Sequence, residues 1–169
     1  MSASKKAPSP SVGFLTVCEF DEVGLLGGYL LLNGGGRPLE FHCTTPVKPN
    51  RAQEILYGTS IRPYLYGDVI GKALLEKSPS QPKFVCTDCH DAMSVRPFAA
   101  SPVAFISSDV QADSFPLGEW QATVSAAHRQ DKQLIADEWQ THFQQLDLCE
   151  PFSRIREALE EAQNSRKAA

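Results

Sequence analysis

At 169 residues with 42% hydrophobic and 21% charged side chains, this chain has the make-up of one globular domain, long enough to bury roughly 70% of its unfolded surface without disulfides or metal. A formal net charge of −4 argues against wholesale nucleic-acid binding, which favours a basic domain. No apolar run approaches the ~18 residues of a membrane-crossing helix, and the opening residues have no apolar stretch like that of a secretory signal. The expectation is a soluble cytoplasmic protein with no membrane contact, in which the five cysteines, an odd number, stay reduced.

Residues 1–12, rich in Ser, Pro, Lys and Ala, read as a disordered tail ahead of a single domain over 13–166, with 167–169 frayed. The segment Phe14–Phe20 alternates as a strand, and Gly28–Leu32 is a second apolar run. Asn33 and Gly34–Gly36 tolerate positive φ and make a hairpin turn into a third strand, Pro38–Cys43. Its period of two sets Leu39, Phe41 and Cys43 on one face and Glu40 and His42 on the other. Asn50 and Gln53 form a capping box for a helix that breaks near Gly58–Pro63 and resumes to about Lys77.

Ser78–Pro82 is a breaker, and Lys83–Cys86 a short strand. A short helix or loop runs through Met93, and Pro102–Ser107 is another strand. Ser108–Glu119 reads as loop, while Trp120–Ala127 suits strand or helix equally. Asp131–Phe143 and the segment from Pro151 to Ala162 are helices, Pro151 falling where a missing N–H costs nothing. The expected fold class is α/β or α+β: a mixed sheet with an N-terminal three-stranded meander, helices packed on it, and a C-terminal helix pair. A meander followed by helix–strand–helix–strand is also the chain order of RNase H-like folds, an analogy of order that carries no function by itself.

Cys86-Thr87-Asp88-Cys89-His90 is the densest group of chemically versatile side chains. As a zinc site it would use Cys86, Cys89 and His90, with Cys43 among the candidates for fourth ligand; structural zinc commonly pairs two such halves, and here only one is explicit. The bland alternative is that Cys86 ends a buried strand and Cys89 and His90 cap a turn. As a redox site, Cys86 and Cys89 follow a strand as in thioredoxin-like proteins, but Asp88 between them would raise a thiolate's pKa. Cys-x-x-Cys-His also matches c-type haem attachment, against which stand the missing export signal and only two methionines for an axial ligand.

A metal-dependent phosphodiesterase would draw on Glu19, Asp21 and Asp88, with Glu40 as a further acid, although positions 15–18 hold no acid inside the first strand. Tyr57, Tyr64 and Tyr66 with Arg51 and Arg62 offer either an aromatic and basic surface or ordinary packing of the broken helix. The glycine run lacks phosphate-loop spacing, and there is no Gly-x-Ser-x-Gly for a serine hydrolase. Leu134, Trp139, Phe152, Ile155 and Leu159 lie on the apolar faces of the last two helices. They serve a protein partner or second copy if unpartnered, or simply cover the sheet, the commoner fate of such faces. With no complete catalytic constellation in view, the expectation leans to a non-catalytic binding or interaction protein.

Overall fold

A computed structural model describes residues 8–167, in which a seven-stranded mixed sheet is covered by helical segments on both faces. The strands are β1 (Ser11–Phe20), β2 (Gly24–Asn33), β3 (Pro38–Cys43), β4 (Phe84–Thr87), β5 (Val103–Ser107), β6 (Phe115–Leu117) and β7 (Trp120–Val124). They lie in the order β3-β2-β1-β4-β5-β7-β6. Strand β1 pairs antiparallel with β2 and parallel with β4, and β4 runs parallel to β5. The N-terminal meander is therefore realised, helical crossovers lead from β3 to β4 and from β4 to β5, and a β6–β7 hairpin extends the sheet.

Local chemistry accounts for the turns. Asn33 Oδ1 accepts from the backbone N–H groups of Gly35 and Arg37, both at 3.0 Å, and Gly36 supplies the positive φ of 81° that closes the hairpin. At Asn50 the capping box forms as read: its Oδ1 accepts from Gln53 N–H at 2.8 Å, and Gln53 Oε1 accepts from Asn50 N–H at 3.0 Å. The crossover from β3 to β4 comprises α1 (Arg51–Tyr57), a 3₁₀ turn, α2 (Ile61–Pro63), a π-helical stretch Tyr64–Gly71 and α3 (Lys72–Lys77). The second crossover is a 3₁₀ helix, His90–Phe98. A Cβ on Gly67 would fall 2.7 Å from Val95 N, so the two crossovers touch backbone to backbone at a position where only glycine fits.

Strand alternation divides the core. Leu15, Val17, Tyr29, Leu31 and Val85 face the crossovers, where Leu65, Ile70, Leu74 and Val95 bury them. Val12, Phe14, Leu30, Phe84 and Cys86 face α4 (Asp131–Glu138), its π-helical continuation Trp139–Phe143, and α5 (Glu150–Lys167). Phe14 and Phe152 meet edge to face at 5.5 Å, as do Phe84 and Phe143 at 5.6 Å. Arg96 and Asp131 form a paired ion bridge that joins the helical layer of one face to that of the other.

Several expectations change. Ser11 and Val12, assigned to the tail, open β1 because β4 and β2 pair with them; 1–7 lie outside the described residues. Phe115–Leu117, read as loop, is a strand made by its pairing with β7. The last helix continues through Asn164 to Lys167 rather than fraying at Lys167, while 168–169 lie outside the described residues. The proposed partner surface is mostly core: Trp139, Phe152, Ile155 and Leu159 are buried against the sheet, and Leu134 alone of the five is exposed. No described helix is long and apolar enough to cross a membrane.

Candidate functional site

Parallel strands β1, β4 and β5 deliver their carboxyl ends to one rim, the place where open α/β sheets form ligand sites. The register pairing Leu15 with Thr87 brings Asp88, one residue past β4, beside Thr16. Thr16 Oγ donates to Asp88 Oδ1 at 2.6 Å, and the Arg156 guanidinium, from α5, donates to Asp88 Oδ2. The aspartate is thus neutralised and held on both sides, with its side chain mostly buried. Arg156 also reaches Cys18; burial nonetheless raises that thiol's pKa, outweighing the opposing guanidinium, with Glu160 adding to the rise.

The cysteine run is spread out rather than gathered. Cys86 lies mid-strand, wholly buried in the core beneath α5, and burial pushes its thiol far above the ordinary range. Cys89 packs toward the opposite layer, its Sγ donating to Val17 O at 3.7 Å and lying 3.6 Å from Thr16 Oγ. His90 turns outward to meet the edge of Phe105 at 5.4 Å and lines a cavity of about 420 Å3 with Asp91, Ser94 and Thr123. Cys43 is exposed at the end of β3, three strands from β4. The structure therefore does not bring Cys86, Cys89, His90 and Cys43 together, and all five cysteines are free. Among the described residues, no three His, Cys, Asp or Glu side chains gather as a metal ion would require.

The acids separate in the same way. Glu19 occupies the register opposite to Thr16, so it leaves β1 on the crossover face, away from Asp88. Glu40, on β3, accepts from His42 at 2.8 Å and Ser78 at 3.0 Å. Burial raises its pKa, but hydrogen bonds from His42, Ser80 and Ser78 outweigh this and hold the carboxyl below its usual range. Glu19 and Asp21 instead enter a cavity of about 490 Å3 between the β1–β2 turn and the first crossover.

That cavity has an apolar floor of Leu25, Val47, Ile61 and Leu65. A backbone bridge fixes one wall: Leu25 and Val47 exchange N–H···O bonds, both at 2.9 Å. Four carboxylates line the cavity, Glu19, Asp21, Glu22 and Glu54, against the cations Lys48 and Arg62. Arg62 is already committed. Its Nε donates to Asp91 at 3.0 Å and its Nη2 to Tyr66 Oη at 3.0 Å, with the guanidinium over the Tyr66 ring at 4.7 Å. Lys48 Nζ donates to Glu22 O at 2.9 Å. Of the aromatic and basic group, Tyr57 and Tyr64 stack at 4.2 Å and Tyr66 is buried, so these rings mainly pack the broken helix.

Three participants had no signal in the sequence. Arg156 lies 68 positions from Asp88, Thr16 is one hydroxyl in an apolar strand, and Glu54 joins the cavity from a different segment than Glu19. No protein-family model matches this chain, and no curated protein matches it.

Proposed function

We propose that this protein is a non-catalytic binding domain whose ligand occupies the 490 Å3 cavity at the carboxyl end of β1, and that the ligand carries a positive charge on an apolar stem. A lysine or arginine side chain of a partner peptide has that chemistry. The observation that carries the reading is the charge imbalance over an apolar floor. Four carboxylates face two cations, one of them bound to Asp91, while Leu25, Ile61 and Leu65 offer cover for a methylene stem. A binding role is further supported by the state of the reactive groups on the other face of the sheet. Asp88 is occupied by Thr16 and Arg156, and Cys86 is buried with its thiol protonated.

Titration followed by NMR, using two short peptides that differ only in a central Arg or Glu, tests the reading. The arginine peptide is expected to shift Glu19, Leu25 and Leu65 saturably. Salt and the Glu19→Gln/Asp21→Asn pair should weaken it, since screening and charge removal both act on the same attraction. Equal binding of the glutamate peptide, or binding indifferent to both changes, defeats the proposal.

A further inference from the structure

Tyr29 poses a problem at the other end of the sheet. It is the one tyrosine in the apolar run of β2, it is 0% exposed, and its hydroxyl has no hydrogen-bond partner among the described residues. Buried phenols ordinarily find a partner, because an unsatisfied polar group away from water destabilises the fold.

The ring's course shows where the hydroxyl goes. Tyr29 pairs with Leu15 on β1, but its ring lies across Gly13, where a Cβ would fall 2.8 Å from Tyr29 Cζ. Gly13 in turn pairs with Val85 of β4. Starting on β2, the side chain therefore crosses β1 toward β4, and Tyr29 and Val85 both line a cavity of about 210 Å3. Leu75, Phe98, Gln81 and Ser101 contribute further walls.

The neighbouring hydroxyls are already engaged. Ser101 Oγ donates to Pro82 O at 2.7 Å, and Ser78 Oγ donates to Glu40 Oε1 at 3.0 Å. Glu76 is the charged residue of the lining among the described residues, and no cation joins it. Burial raises the Tyr29 phenol above its usual range, with smaller pushes from Glu40 and Cys86, so it stays a neutral O–H donor. Such a group needs an acceptor, and the nearby carboxylates disfavour an anionic one.

We propose that this cavity is a second binding site, independent of the acidic one, for a small uncharged molecule. It would present one carbonyl or hydroxyl oxygen to Tyr29 Oη and an apolar body to Leu75, Val85 and Phe98. Small-molecule sites are mostly apolar, with a few placed polar groups fixing orientation.

The test uses the full chain and two probes matched in shape, cyclohexanone and cyclohexanecarboxylate, followed by NMR. Cyclohexanone is expected to shift Tyr29, Val85 and Ser101 saturably, and the carboxylate is not. Tyr29→Phe should weaken cyclohexanone about tenfold, the worth of one buried hydrogen bond, while leaving the melting temperature of the free protein unchanged or raised. Ala100→Phe, at an exposed position of the lining, should block binding without disturbing the core. The proposal is overturned by no saturable shift, by equal affinity in Tyr29→Phe, or by equal binding of the carboxylate. A marked loss of free-protein stability in Tyr29→Phe also overturns it, because the hydroxyl would then already be satisfied by internal water, which a polar cavity can hold.

Discussion

Removing Asp131 should cost this domain more than removing any exposed charge. The Asp131 side chain is 0% exposed and its partner Arg96 15%. Two parallel bonds join them: Arg96 Nε to Oδ2 at 2.6 Å and Nη2 to Oδ1 at 3.1 Å, while Nη1 donates to Ala99 O at 3.1 Å. Asp131→Ala leaves a largely buried guanidinium with one carbonyl for company, and breaking a buried pair in this way costs about 3–5 kcal/mol. Domains have only about 5–15 kcal/mol to lose. At about 2–4 °C per kcal/mol for a chain of this length, the melting temperature should fall by roughly 6–20 °C. Urea unfolding followed by circular dichroism, at unchanged m-value, measures the free energy directly. The double variant Arg96→Met/Asp131→Leu should recover most of the loss, because an apolar pair avoids both desolvation and the orphaned charge. A cost below about 1 kcal/mol for Asp131→Ala, typical of an exposed pair, would refute the reasoning.

Two further outcomes follow from the same kind of reading. Asp147 accepts from Cys149 N–H at 2.8 Å, Glu150 N–H at 3.3 Å and Trp120 Nε1–H at 3.0 Å. The backbone bond from Cys149 is the main influence; burial opposes it, and the Glu150 and Trp120 bonds help to hold the carboxyl below its usual range. The folded state thus binds this proton more weakly than the unfolded chain. The stabilisation is complete above the unfolded value of about 3.9 and lost as pH falls through the lower folded value. Melting temperature should therefore drop less steeply below about pH 4 in Asp147→Asn than in the parent, and parallel curves would contradict this. For the cysteine run, protein purified without chelator should carry no stoichiometric zinc and keep its melting temperature in EDTA, and a thiol reagent should label exposed Cys43 before buried Cys86. Near-stoichiometric zinc abolished by Cys86→Ser would sink that expectation.

Strands and turns were legible where the information is local. Phe14–Phe20 and Pro38–Cys43 announce themselves by alternation, and Asn33 and Asn50 by side chains that satisfy their own backbone. Phe115–Leu117 did not, because three residues with Pro116 at the middle become a strand only through Trp120–Val124. The π-helical stretch Tyr64–Gly71 keeps an apolar face that reads as ordinary helix. The cysteine cluster was misleadingly dense. Cys86 belongs to a strand whose side chains alternate, and Cys89 lies past its end, so three positions of spacing carry the two thiols to different layers. What assembles around Asp88 comes from β1 and α5, and the acidic cavity from several segments, relations that no spacing within one segment records.

The order of the strands also dictates the order of events as the chain is made. β1, β2 and β3 can pair as soon as they emerge, but β1 is an interior strand of the finished sheet, and its second edge waits for β4. Thr16 and Asp88 are 72 positions apart, a wait of seconds at about 5–20 residues per second. The face carrying Phe14 and Leu30 waits longer still, for Phe152, Ile155 and Leu159. In the interval the nascent meander shows an unpaired strand edge and uncovered apolar faces, the features that recruit chaperones or invite aggregation. Closing such distant contacts is entropically slow, so sealing the first strand is expected to take longer than making it.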